Sequence, residues 1–217
     1  MIQKTIIAFS LLLVSQLGMA QQAQYVEGTH FFLLDQAPAQ TDSGNVEVTE
    51  IFSYACSHCN TFEPYMQSWK KNNADKATLK RIPVTFGRKS WELLARGYIA
   101  AEMMGIAEES HVGMMDAIWK QRKQFRSLDE LADFYAGFGV EKDAFKAHYQ
   151  SFAADSQLRR NQKDIITFGI SGTPSLVVNS KYRVVSSKDV PDFDVMLDVV
   201  NYLVAKESAT AESKTAE

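Results

Sequence analysis

The sequence predicts an α/β fold in which a helical block interrupts a single sheet, and three observations predict it. Apolar, strand-like runs stand near both ends of the chain, at Val46–Ser53 and at Ser175–Val185. Between Lys89 and Gly169 the apolar residues recur at helical spacing almost throughout. A Cys-x-x-Cys pair, Cys56-Ser57-His58-Cys59, joins the first long strand to the first helix. The resulting order is strand, motif, helix, strand, helical block, hairpin and helix, an α/β arrangement with helices inserted between two halves of one sheet.

The first 20 residues read as an export signal rather than part of the fold. Lys4 supplies the positive start, Ile6 to Val14 the apolar stretch, and Gly18-Met19-Ala20 a small-residue cleavage site. The stretch is shorter than the roughly 20 apolar residues a membrane helix needs, and no cysteine follows it to accept a lipid. The leader resembles a bacterial secretory signal, so the mature chain is expected in the periplasm, starting near Gln21.

A first strand is expected at His30–Leu34, then a loop through Pro38 to Asn45, then the strand Val46–Ser53. In the helix that follows the motif, Phe62, Tyr65, Met66 and Trp69 share one face, and Pro64 removes a backbone donor inside it. A third strand is expected near Thr78–Phe86, ending around Pro83. Within the helical block, Trp91, Leu94, Ala95 and Tyr98 form one face, and Met114, Met115, Ile118 and Trp119 another. Ser127-Leu128-Asp129-Glu130 has the form of a capping box and Gly139 suits a helix stop. Two further helices are expected at Lys142–Phe152 and Ser156–Phe168. The hairpin Ser175–Val185 turns at Asn179-Ser180-Lys181, and a last helix spans Asp192 to about Lys206. Residues 208–217 are polar without an apolar face and read as a disordered tail. The expected organisation is therefore a signal at 1–20, a sheet domain in two parts at 21–87 and 161–207, a helical insertion at 88–160, and the tail.

The chain holds only two cysteines and carries a net charge of −3 with its positive residues dispersed, which argues against nucleic-acid binding. Cys56 is placed at a helix N-terminus, where free N–H groups and the helix dipole favour an anion. Cys59, one turn further in, is the second, more buried sulfur. His58 between them offers the Cys56 thiolate a hydrogen bond or, when protonated, a positive charge. A Cys56 pKa near ~4 would stabilise the reduced form at pH 7 by ~4 kcal/mol, or ~90 mV toward an oxidising potential. Such a pair shuttles between dithiol and disulfide. As a structural staple it would close a loop of four residues, worth only ~2 kcal/mol. As a zinc site it lacks a second pair, and His30, His111 and His148 stand singly and read as surface residues. The chemistry resides in the two sulfurs, with no cofactor and no metal.

Strand alternation puts Glu50 on the same face as Phe52 and Tyr54, toward the motif. Buried there, it would have a raised pKa and could take a proton from Cys59, with Lys80 or Arg81 as partner; on a solvated strand edge it would do neither. Thr173-Pro174 precedes an apolar strand, and the dipeptide alone does not decide between cis and trans.

The run Glu50-Ile51-Phe52-Ser53-Tyr54-Ala55-Cys56-Ser57-His58-Cys59, with Phe62-Glu63 after it and Gly172-Thr173-Pro174 near the end, resembles the DsbA family of periplasmic dithiol oxidases over nearly all of the mature chain. The resemblance implies a thioredoxin fold with an inserted helical domain, Cys56 as nucleophile with a depressed pKa, and Cys59 as its partner. It implies a cis peptide before Pro174 facing the sulfurs, so that Thr173 and Pro174 meet the client, and Glu50 and Glu63 as charged residues near the site. The implied partners are unfolded exported proteins with free cysteines and a DsbB-like membrane quinone reductase. Two positions depart from the pattern: Ser57 stands where proline is usual, and Thr173 where valine is usual, as in disulfide isomerases. The dimeric isomerases carry an extra N-terminal domain, for which the 35 residues between Ala20 and Cys56 leave no room, so a monomer is expected. A disulfide isomerase or reductase, or a non-catalytic peptide-binding protein on the same fold, are the alternatives.

Overall fold

In a computed structural model, which describes residues 25–34 and 45–215, five strands form one mixed sheet. The strands are β1 (Phe32–Leu33), β2 (Val46–Phe52), β3 (Ala77–Pro83), β4 (Ser175–Val178) and β5 (Tyr182–Val185), in the spatial order β1-β5-β4-β2-β3. Only β2 and β3 run parallel, and a parallel pair needs a crossover. That crossover is α1 (Ser57–Asn72). The expected signal at 1–20 and most of the loop before Asn45 lie outside the described residues.

β2 lies between β4 and β3 in the sheet, and its two faces go to different cores. Val46 and Val48 pack with Phe62, Met66 and Trp69 of α1 and with Met196, Val200 and Leu203 of the last helix, α7 (Phe193–Thr215). Ile51 faces the other way, onto Ile82, Val177 and the end of α6 (Phe152–Thr167) at Ile165 and Phe168. Trp69 Nε1 donates to Asn201 Oδ1 at 2.7 Å and ties α1 to α7. Val184 and Leu176 close the first core, so that each face of the sheet is covered.

Between the two halves lie α2 (Lys89–Met103), α3 (Ala107–Trp119), α4 (Leu128–Ala136) and α5 (Lys142–Tyr149). Their core holds Leu94, Tyr98, Met114, Met115, Leu131, Tyr135 and Phe145, and it continues into Phe52, Tyr54, Cys56 and Cys59. The inserted helices thus share one apolar core with the cysteine motif. The helix α6 runs unbroken across the expected 160/161 boundary. Ala154 and Leu158 near its start pack on Ala95 and Ile99 of α2, and Ile165 near its end packs on the sheet.

Several expected boundaries move. The capping serine is confirmed, with Ser127 Oγ accepting from the Glu130 amide, but α4 ends at Ala136, and Gly139 at φ +81° closes the turn beyond it. The fifth helix stops at Tyr149, because Ser151 caps α6 by accepting from the Ala154 amide. Phe152, expected at the end of one helix, opens the next and is 80% exposed. The expected tail at 208–217 is corrected as far as Thr215, to which α7 continues; the last two residues lie outside the described ones. Extending a helix already nucleated by packing costs little, and Ala, Glu and Lys are good helix formers.

Candidate active site

Cys56 is the N-cap of α1, with extended backbone (φ −98°, ψ 117°). Its carbonyl already accepts from the Asn60 amide at 3.1 Å, while its own N–H donates to Ser53 O at 3.0 Å. The sulfur takes the place usually filled by a serine or aspartate oxygen: Cys56 Sγ accepts from the Cys59 amide at 3.4 Å. From the other side the Cys56 thiol donates to the Thr173 carbonyl, also at 3.4 Å. The Thr173-Pro174 peptide is cis. The loop before β4 therefore lies against the redox sulfur, as the resemblance implied.

The two sulfurs differ sharply in environment. Cys56 remains 9% exposed, whereas Cys59 is fully buried. The Cys56 pKa is lowered to about 5, first by the hydrogen bond from the Cys59 thiol, against the cost of burial, and then by the Thr173 side chain and the Cys59 and His58 amides. Cys59 is pushed well up, by its hydrogen bond to Cys56, by burial, and by the neighbouring negative charge. At neutral pH the reduced pair is one thiolate and one thiol. A thiol moved from 9 to about 5 gains about 2 pH units of stabilisation at pH 7, ~2.7 kcal/mol, or ~60 mV toward oxidising.

The part of His58 that acts on Cys56 is its backbone N–H. Its ring is exposed and lines a cleft of 450 Å³ with Phe32, Thr173, Pro174, Arg183 and Phe193. Arg183 shapes this cleft from below, donating from Nη1 to the Gly169 and Phe168 carbonyls at the end of α6. Gly169, at φ +61°, has no Cβ to collide with that guanidinium.

Glu50 is fully buried, which excludes the solvated-edge reading. The register pairs Glu50 with Arg81 across the parallel ladder, so the two side chains project from the same face. Lys80, the other expected partner, points to the opposite face, where it approaches Glu47 at 3.7 Å. Arg81 Nε donates to Glu50 Oε2 at 2.9 Å, and Arg81 Nη2 to Glu63 Oε1 at 3.3 Å. Burial raises the Glu50 pKa to about 7, with Arg81 working against it and Glu63 adding to it.

His111 corrects a second expectation. It is fully buried rather than at the surface. Its Nε2 lies 3.1 Å from Glu63 Oε2 and its Nδ1 3.0 Å from the Tyr54 hydroxyl. His30 is half-buried and His148 exposed. The sequence carried a usable signal for His111, which stands three and four residues before Met114 and Met115 on the inward face of α3. Tyr54 and Trp119 were also missed as site residues; Trp119 Nε1 donates to the Tyr54 carbonyl at 2.9 Å and ties α3 to the motif.

Glu50, Glu63 and His111 offer three ligand atoms within 4.8 Å of one another. The Arg81 guanidinium already bonds both carboxylates, so a divalent ion there would meet a fixed positive charge. The cluster is an ion-pair network rather than a metal centre. Among the described residues no helix is long and apolar enough to cross a membrane.

Residues 47–198 match the family model of the DSBA-like thioredoxin domain. The chain is 34% identical over 209 residues to the thiol:disulfide interchange protein DsbA of Pseudomonas aeruginosa, covering 95% of this chain and 98% of that one. To the protein of the same name from Azotobacter vinelandii it is 37% identical over 165 residues, 76% of each. Among solved structures, DsbA from Xylella fastidiosa superposes with a TM-score of 0.78 at 34% identity, covering 85% of this chain and 98% of that one. A crystal structure of the E82I variant of Pseudomonas aeruginosa DsbA gives 0.79 at 31%, over 85% and 99%. A match that spans the motif, the inserted helices and the cis-proline loop shows that the chain belongs to the DsbA family and is a protein dithiol–disulfide oxidoreductase.

Proposed function

We propose that this protein works as an oxidant, donating the Cys56–Cys59 disulfide to newly exported proteins in the periplasm. The observation that carries the reading is the unequal setting of the two sulfurs: Cys56 Sγ caps α1 and accepts from the Cys59 amide, while Cys59 is fully buried, which lowers Cys56 to about 5 and raises Cys59. A client thiolate attacks Cys56 Sγ. A client–Cys56 disulfide forms, the Cys56–Cys59 bond breaks, and Cys59 leaves as a thiolate that takes up a proton. A second client thiolate then attacks the client sulfur of the mixed disulfide. The client leaves oxidised, and Cys56 leaves as a thiolate that needs no proton at neutral pH. Two electrons have passed from the client to the pair.

Glu50 is the group we assign to the Cys59 proton, giving it when Cys59 leaves and taking it back when Cys59 attacks. Its burial and its pKa of about 7 support the assignment, since a carboxyl poised near the working pH serves both directions. The cleft beside Thr173 and Pro174 receives the client segment, whose backbone pairs as an added strand in a sequence-tolerant way. The family resemblance supports a monomer and a DsbB-like membrane quinone reductase as the acceptor that restores the disulfide.

The test is to mix oxidised protein with a reduced, unfolded client. One equivalent of client disulfide per protein, formed faster than in buffer, is expected. Failure to accelerate, with the Cys56–Cys59 bond confirmed present, overturns the reading. Measuring the redox potential against glutathione separates oxidant from isomerase or reductase: a potential near that of glutathione or below removes the oxidant assignment.

A further inference from the structure

The buried ion-pair network extends beyond Glu50, and its hydrogen bonds are unevenly shared between two carboxylates. Glu63 is bonded at both oxygens. Its Oε1 accepts from Gln67 Nε2 at 2.6 Å and from Arg81 Nη2 at 3.3 Å, and its Oε2 meets His111 Nε2 at 3.1 Å. Glu50 has one donor, Arg81 Nε on Oε2, and its Oε1 is buried without a partner. A buried oxygen with no donor is costly as part of a carboxylate and far less so as the O–H of an acid.

Charge counting points the same way. Glu50 and Glu63 face one guanidinium, Arg81, so both cannot be ionised without a net buried negative charge. Glu108 and Lys70 at the rim pair with each other at 2.5 Å, and Glu108 also takes Arg81 Nη1 at 3.0 Å. The groups facing His111 are Glu63 from α1, Tyr54 from the turn after β2, Tyr98 from α2, and Arg81 and Glu108. A carboxylate can only accept, so His111 Nε2 carries the hydrogen; burial holds the imidazole below its usual pKa, which leaves Nδ1 bare to accept from Tyr54 Oη. The imidazole is therefore a neutral donor of fixed tautomer, anchored by a tyrosine.

We propose that His111 is a positioning residue: by donating to Glu63 it keeps that carboxylate ionised and leaves the single mobile proton of the buried network on Glu50. This inference rests on the reading that Glu50 exchanges a proton with Cys59, and it adds a residue from the inserted helical domain to that step. Glu63 lies one helical turn beyond Cys59 on α1. Without His111, the proton would settle on Glu63, Arg81 would turn wholly to Glu50, and the reaction's proton would be held on the wrong acid.

The experiment is a carboxyl-carbon NMR titration of the reduced protein between about pH 4 and pH 9, with Glu50→Gln and Glu63→Gln supplying the assignments. Wild type should show Glu50 titrating near neutrality and Glu63 ionised throughout, with His111 nitrogen shifts of a neutral ring protonated at Nε2. In His111→Phe the order should reverse, and the near-neutral inflection in the exchange rate should disappear. His111→Gln, whose amide still donates, should restore both. A purely structural histidine would leave the carboxyl order unchanged in His111→Phe, and that result overturns the proposal. If His111→Phe does not fold, wild type alone decides: Glu63 titrating at or above Glu50, or a ring protonated at Nδ1, overturns it equally. The underlying reading fails separately, if Glu50→Gln exchanges disulfides at the wild-type rate while the wild-type carboxyl order is as stated.

Discussion

Cys56 Sγ lies 3.4 Å from the carbonyl oxygen of Thr173, although 117 residues separate them in the chain. The contact joins the first helix to the loop before β4 and sets the shape of the surface a client meets. It also brings the Thr173 side chain within reach of both sulfurs, where hydrogen bonding from it lowers both pKa values. Threonine here, in place of the usual valine, therefore has a physical consequence.

Replacing that threonine isolates it. Thr173→Val removes one hydrogen bond to a thiolate while keeping the side-chain volume. One bond of ~0.5–1.5 kcal/mol corresponds to ~10–30 mV, so the variant should be a weaker oxidant by that amount. Equilibration with glutathione measures it; an unchanged or more oxidising potential contradicts the assigned bond.

His58 makes a complementary case. Because its amide is what reaches Cys56, His58→Ala should hold the Cys56 pKa within about half a unit of wild type. His58→Pro, which lacks the N–H, should raise it. Alkylation of the reduced protein across pH reads both variants, and a large rise in His58→Ala would restore the ring to the mechanism.

Stability of the reduced protein should rise with pH through the range where Cys56 ionises. Its folded pKa of about 5 lies below the unfolded value of 9.0, so its contribution is present in full above 9 and is lost as pH falls through 5. Between pH 5 and pH 7 the reduced wild type should gain ~2 kcal/mol relative to Cys56→Ala. Urea unfolding at the two pH values checks this, and parallel curves for the two proteins would contradict it.

Arg81 carries the buried network, with its side chain bonded to Glu50, Glu63 and Glu108. Arg81→Met leaves two buried carboxyls without their cation and should cost ~3–5 kcal/mol at pH 8. The loss should shrink toward pH 5, where the Glu50 carboxyl, already raised to about 7, is neutral. Denaturant midpoints at both pH values provide the measurement, and a pH-independent loss would point to packing alone.

Local pattern was enough for much of this. The two cysteines, their place between a β-branched run and an amphipathic helix, and the capping serine at Ser127 each act within a few residues, so neighbouring sequence determines them. Glu50 facing inward likewise follows from the two-residue period of a strand, and a partner on β3 could be narrowed to Lys80 or Arg81. Which of the two it is depends on register, a property of two strands together, and Glu50↔Arg81 decides it. His111 could not be read as a site residue for a stronger reason. It lies 48 residues from Glu63 and 57 from Tyr54, and only the packing of α3 against α1 and the motif brings them together. A histidine on an amphipathic helix is neutral information until its neighbours are known. The same holds for the carbonyl of Thr173: the sequence by itself specifies which groups exist and which local conformations they favour. Burial and long-range docking then decide which of them lose water, and with it which of them change their pKa.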